Sequence, residues 1–132
     1  MGGLAGFFRS RWRSIRYAAS GWAYVLRTQR NAWIHAVISG GVIIAALLLQ
    51  LPPRDWAVLI LTIAMVWSAE FLNTALEAVV DLASPDLHPL AKIGKDVGAA
   101  AVLIAAMAAV LIGLLILGPP LWKLVTDLFT GL

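Results

Sequence analysis

The chain contains no cysteine. That excludes a disulfide framework, a thiol nucleophile and a thiolate metal site, and it leaves the redox compartment open. Any chemistry must therefore use oxygen and nitrogen groups. Charge is scarce as well: 13% of the residues are Asp, Glu, Lys or Arg, only seven are acids, and there are two histidines. Neither a Ser-His-Asp arrangement nor a histidine cluster at metal-ligand spacing can be assembled from that inventory. Residues 94–96, Gly-Lys-Asp, are not a Walker A loop, because the spaced glycine and the Ser/Thr after the lysine are missing. There is no internal repeat and no low-complexity segment.

What the chain does have is apolar surface. Of its 132 residues 61% are apolar, and the mean hydropathy is +0.89. Soluble domains are about half apolar, so this composition implies an integral membrane protein of one domain. Six of the ten basic residues (Arg9, Arg11, Arg13, Arg16, Arg27 and Arg30) precede residue 31. Such a cluster suits anionic lipid headgroups better than nucleic acid, for which the apolar remainder leaves no groove-reading domain. A secretory signal fits poorly, since the first apolar run starts only near Trp33, after a basic segment too long for an n-region. The N-terminus is therefore read as retained.

Phe8, Trp12, Ile15, Ala19, Trp22 and Leu26 recur at helical spacing, with Arg9, Arg13, Arg16 and Arg27 to one side and Ser10, Ser14, Tyr17 and Tyr24 opposite. This predicts an amphipathic surface helix over 4–28, its arginines reaching for phosphates or serving only as an anchor. Three transmembrane helices follow at 31–50, 56–82 and 92–118, each with the roughly 20 residues a bilayer requires. Leu-Pro-Pro-Arg-Asp at 51–55 predicts a tight turn, and Gly-Pro-Pro at 118–120 predicts a helix stop before a short tail, 119–132. The early arginines, with Lys92 and Lys95, outweigh Arg54 and Lys123. The positive-inside rule then places the N-terminus and the 83–96 connection in the cytoplasm and the C-terminus outside. The third span is rich in small residues, which let helices approach closely in lipid. Three helices do not wall off a polar site easily, so a homo-oligomer is expected.

The segment Ser-Ala-Glu-Phe-Leu-Asn-Thr-Ala-Leu-Glu-Ala-Val-Val-Asp, 68–81, places acids inside an apolar span. At about 100° per residue Glu70, Asn73, Glu77 and Asp81 share an arc of about 80°, and Glu77 lies about 10 Å from Glu70 along the axis. Intramembrane acids are expensive unless protonated, paired or metal-bound, which makes them candidates for function. Acids near a helix end can also pair with lysines of the next segment, but four polar groups in one arc exceed that need. The ladder suggests a deep, desolvated glutamate as base and shallower acids as ligands for a hard cation such as Mg²⁺. Lys95, Asp96 and Gly98 open the third span, where N–H groups and the helix dipole favour an anion and glycine admits a phosphate. Lys95 can equally be a topogenic charge paired with Asp96. Together these groups point to phosphoryl transfer. His88, in the loop, faces a nucleotide or only solvent, and His35, early in the first span, reads as a packed, hydrogen-bonded residue.

Glu-Phe-Leu-Asn-Thr-Ala-Leu-Glu-Ala-Val-Val-Asp, with Lys-Asp-Val-Gly-Ala-Ala-Ala-Val-Leu-Ile beginning fourteen residues after Asp81, closely resembles the prokaryotic diacylglycerol kinase and undecaprenol kinase family. Its pattern is E-x-x-N-[ST]-A-[IL]-E-x-x-V-D, then A-K-D-x-[GA]-[SA]-A-A-V. Residues 17–35, ending Gln-Arg-Asn-Ala-Trp-Ile-His, are similar to the family's entry into the first span, and the likeness extends over about residues 8–117. The resemblance implies a small homotrimer that moves the γ-phosphate of MgATP to a lipid hydroxyl at the cytoplasmic face of the plasma membrane. Glu70 would be the base, Asn73 would position the alcohol and Glu77 would hold Mg²⁺. Lys95 would bind ATP phosphates, with Asp96, Asp81, His88 and Gly98 around the nucleotide.

Two positions depart from the family pattern. Gln29 stands where the family usually has a second metal-binding Glu, and an amide oxygen coordinates without charge, so weaker metal binding is expected. Ala99 stands where diacylglycerol kinases often carry Ser. His-Pro-Leu-Ala-Lys-Ile and Arg-Asn-x-x-Ile-His look closer to the undecaprenol branch. The expectation is an ATP- and Mg²⁺-dependent lipid kinase favouring undecaprenol slightly over diacylglycerol. The alternatives are a small proton-coupled transporter using Glu70 and Glu77 as a relay, or an impaired family member retained as a membrane scaffold.

Overall fold

The computed structural model describes residues 3–86 and 88–131; Leu87 of the 83–96 connection and the outermost terminal positions lie outside the described residues. Four helices follow in order: α1 (Leu4–Thr28), α2 (Arg30–Leu48), α3 (Pro53–Ala83) and α4 (Pro89–Thr130). The last three are each long and apolar enough to cross a membrane, so the chain is an all-helical membrane protein.

The breaks between helices follow from local chemistry. α1 and α2 are separated by Gln29 alone, which is extended at φ −101° and ψ 115° while its N–H still donates to Val25 O at 2.8 Å. One non-helical residue is enough to redirect the chain and to carry the Gln29 side chain to the inside of the corner. Between α2 and α3, Gln50 takes φ 51°, a left-handed conformation that costs a non-glycine residue roughly 1 kcal/mol. Pro52 and Pro53 then start α3 with their fixed φ and no donor to satisfy. α3 ends at Ser84, whose hydroxyl donates to Asp86 O at 3.0 Å. His88 caps α4, its Nδ1 accepting from Leu90 N–H at 3.2 Å ahead of Pro89.

One expectation is overturned. Gly118-Pro119-Pro120 does not stop the third span: α4 runs through both prolines to Thr130, 42 residues in all, so 119–132 is not a separate tail. Each proline removes one i→i−4 bond, but its φ of about −65° is helical. In an apolar setting, unwinding the remaining turns would orphan more carbonyls than the two prolines do.

α3 packs chiefly against α4, with α2 bracing both. At the end away from the 83–88 connection, Ala46, Leu51 and Leu59 form a buried apolar cluster, covered by Val42, Leu49, Trp56, Ile116 and Leu117. α1 meets α3 through an aromatic cluster, in which the Trp22 ring lies 4.7 Å from both Trp67 and Phe71. Most other large apolar side chains are exposed, including Ile38, Leu61, Leu103 and Leu115. That is the surface lipid or further protein must cover.

Candidate functional site

Glu70 is the most deeply buried large side chain of the described residues, 1% exposed. It belongs to the helical run of α3, and its backbone carbonyl accepts from Thr74 Oγ1 at 2.9 Å. Asn73, one turn on, is 8% exposed. Its Nδ2 donates to Glu77 Oε1 at 3.0 Å, while Gln29 Nε2, from the α1–α2 corner, donates to Glu77 Oε2 at 3.1 Å. Both oxygens of one carboxylate are thus fixed by amides from two parts of the chain. Gln29, His35, Glu70, Asn73, Glu77 and Ala99 line a cavity of about 240 Å³.

The close approach of α4 to this face depends on Gly98. A Cβ at that position would collide with Asn73 Oδ1 and lie 3.1 Å from Leu76 Cδ2. Gly98 is buried against α3, where its missing side chain lets the two helices pack closely.

The remaining sequence candidates stand outside the cavity. Asp81, nearer the 83–88 connection, takes an ion pair from Lys95 across α3 and α4. Lys95 therefore pairs with Asp81, and Asp96 pairs instead with Lys92 at 2.5 Å along the exposed face of α4. His88 is exposed and occupied as a helix cap. The four-residue arc of α3 divides into three residues on the cavity and Asp81 beyond it, toward the 83–88 connection.

Sequence reasoning undervalued His35. It lines the cavity, and its Nε2 faces Glu70 Oε2 at 3.7 Å without a hydrogen bond. The available signal was a polar ring within a span otherwise free of titratable groups. A second cleft of about 340 Å³, walled by Ile38, Val42, Leu59, Val66 and Leu114, adjoins the cavity at His35 and Ala106. It is almost wholly apolar.

Among the described residues no three His, Cys, Asp or Glu side chains stand together as a metal site. Glu77 and Gln29 offer one carboxylate and, with the amide turned over, one neutral oxygen. That donor set suits Mg²⁺ arriving on a phosphate, since Mg²⁺ commonly takes one or two carboxylates and completes its shell with substrate oxygens and water.

The sequence model for prokaryotic diacylglycerol kinase matches residues 16–117. A diacylglycerol kinase of Synechocystis is 52% identical over 112 residues, covering 84% of this chain and 64% of that protein. An undecaprenol kinase of Bacillus subtilis is 40% identical over 109 residues, 83% of this chain and 89% of the relative. A diacylglycerol kinase of Escherichia coli is 36% identical over 106 residues, 75% and 84% respectively. The chain thus spans less than two thirds of the Synechocystis relative and most of the other two.

Proposed function

Because the chain belongs to the prokaryotic diacylglycerol kinase family, we propose that it is a membrane lipid kinase that transfers the γ-phosphate of ATP to a lipid hydroxyl. The observation that carries the reading is the buried carboxylate of Glu70, set in a small polar cavity between an apolar cleft and the Lys95–Asp81 end of the molecule. Drug-sized ligands occupy about 300–1,000 Å³, so a 240 Å³ cavity suits an alcohol headgroup rather than a nucleotide. The adjoining cleft suits the hydrocarbon chain. ATP then lies at the polar rim, its phosphates within reach of Lys95, with Asp81, Asp96 and His88 around the nucleotide.

Each role has a physical basis. Glu70 takes the proton of the lipid hydroxyl from inside a desolvated pocket, where a carboxylate is poorly hydrated and reactive. Asn73 orients that hydroxyl and the Glu77 carboxylate together. Glu77, with the Gln29 amide oxygen, would hold Mg²⁺, which supplies charge neutralisation on the phosphates when bound. Lys95 exchanges Asp81 for phosphate oxygens. Positioning and charge neutralisation carry most of a phosphoryl transfer, so this short list suffices.

Undecaprenol stands slightly ahead of diacylglycerol as substrate, on the likeness of the 88–93 and 30–35 segments to that branch. The active unit is a homotrimer, since one protomer leaves the cavity and most apolar side chains uncovered. The surface helix and the 83–96 connection face the cytoplasm, where ATP is. A proton relay gives no reason for Lys95 at the rim, and family membership does not favour it.

Glu70→Gln removes the base with little change of shape. The purified variant should lose turnover with labelled ATP, Mg²⁺ and a panel of undecaprenol, diacylglycerol and other lipid alcohols, yet bind ATP as before. Phosphorylation at the wild-type rate would rule out Glu70 as base, and a wild-type protein that transfers phosphate to no lipid would defeat the kinase reading.

A further inference from the structure

His35 belongs to α2 and stands where the polar cavity meets the apolar cleft. Its side chain is 12% exposed, and its Nε2 lies 3.7 Å from Glu70 Oε2. Both atoms are buried and neither has a hydrogen-bond partner among the described residues. A buried polar atom left alone is costly, and here a donor nitrogen and an acceptor oxygen face each other a few tenths of an ångström beyond bonding distance. On its apolar side the imidazole meets Trp67 edge-on, with ring centroids 6.3 Å apart at 68°. Trp67 is itself packed against Trp22 and Phe71. The titratable groups lining this cavity are His35 from α2, and Glu70 and Glu77 from α3.

We propose that His35 is a positioning residue for the phosphoryl transfer: it donates Nε2–H to Glu70 Oε2 and fixes the direction of the carboxylate. The inference rests on the lipid-kinase reading above. With Oε2 held, Oε1 faces the lipid hydroxyl. The O–H bond breaks as its proton passes to Oε1, the alcohol oxygen's electron pair forms the new O–P bond, and the bond between γ-phosphorus and ADP breaks with its electrons kept by ADP. The imidazole retains its proton throughout. A carboxylate free to turn spends less time aligned, which lowers turnover and leaves nucleotide binding unchanged.

The test compares wild type, Glu70→Gln, His35→Phe, His35→Asn and His35→Gln in one detergent, reading kcat and the KM for ATP. Losing a hydrogen bond to a charged group corresponds to a roughly 10- to 100-fold fall in kcat. That fall is expected for His35→Phe with KM for ATP unchanged. A glutamine amide nitrogen reaches about as far as Nε2, so His35→Gln should recover most of the rate. An asparagine reaches only as far as Nδ1, and His35→Asn should fall with His35→Phe. Equal kcat for the Gln and Asn variants overturns the proposal, and that comparison stands even if the Phe variant does not fold. An active wild type and inactive Glu70→Gln beside an unaffected His35→Phe sinks the role of His35 alone. An inactive wild type sinks the kinase reading and this inference with it.

Discussion

At the scale of single residues, Glu77 is the point where two parts of the chain agree, because its oxygens accept from Asn73 on α3 and from Gln29 at the α1–α2 corner. An amide there satisfies the carboxylate but brings no charge to a cation. Gln29→Glu should therefore tighten the metal requirement, lowering the Mg²⁺ concentration for half-maximal activity by about tenfold, the equivalent of about 1.4 kcal/mol. A Mg²⁺ titration of both proteins checks it, and an unchanged midpoint would remove Gln29 from the metal site. The shared face of Glu70, Asn73 and Glu77 was legible in the sequence, since a helix of known period fixes their directions. The place of His35 was not, because it depends on how α2 is rotated against α3. That rotation is a matter of packing between helices, which no periodicity within α2 reveals.

At the scale of elements, α3 and α4 carry the site between them, and Gly98 sets their separation. Gly98→Ala forces its new methyl onto Asn73 Oδ1 and close to Leu76. Overpacking of this kind costs about 1–3 kcal/mol, and here it also displaces the residue that orients Glu77. A lower melting temperature in detergent and a lower kcat are expected, while Gly41→Ala, with nothing within 4 Å of its new methyl, should change neither. If both variants behave alike, the close approach at Gly98 has no bearing on the site. The three apolar spans could be read from hydropathy alone. The continuation of α4 through Pro119 and Pro120 could not, because the rule that proline breaks helices is weighted by water. The packing role of Gly98 was hidden for a similar reason: a glycine near a helix start suggests phosphate access in isolation, and only the neighbouring helix shows its contact with Asn73 and Leu76.

At the scale of the whole molecule, the charge distribution predicts an orientation with both the early arginines and the 83–96 connection toward the cytoplasm. The absence of native cysteine makes that easy to test. Asp86→Cys and Thr130→Cys, both exposed, should react with a membrane-impermeant maleimide from opposite sides: Asp86→Cys in inverted vesicles and Thr130→Cys in spheroplasts. Labelling of both from one side would contradict three crossings. The two ends of the bundle also differ in kind. At the far face α2, α3 and α4 are closed together by Ala46, Leu51, Leu59, Ile116 and Leu117 and by a four-residue turn that ends in Pro52 ahead of Pro53. At the other end α3 and α4 are bridged by an exposed Lys95–Asp81 pair of the sort worth about 0–1 kcal/mol. In the proposed orientation the bundle resembles tweezers whose joint lies toward the outer leaflet. On that proposal, widening to admit a substrate headgroup is expected at the opposite tips, so a catalytic cycle need not open a continuous path across the bilayer.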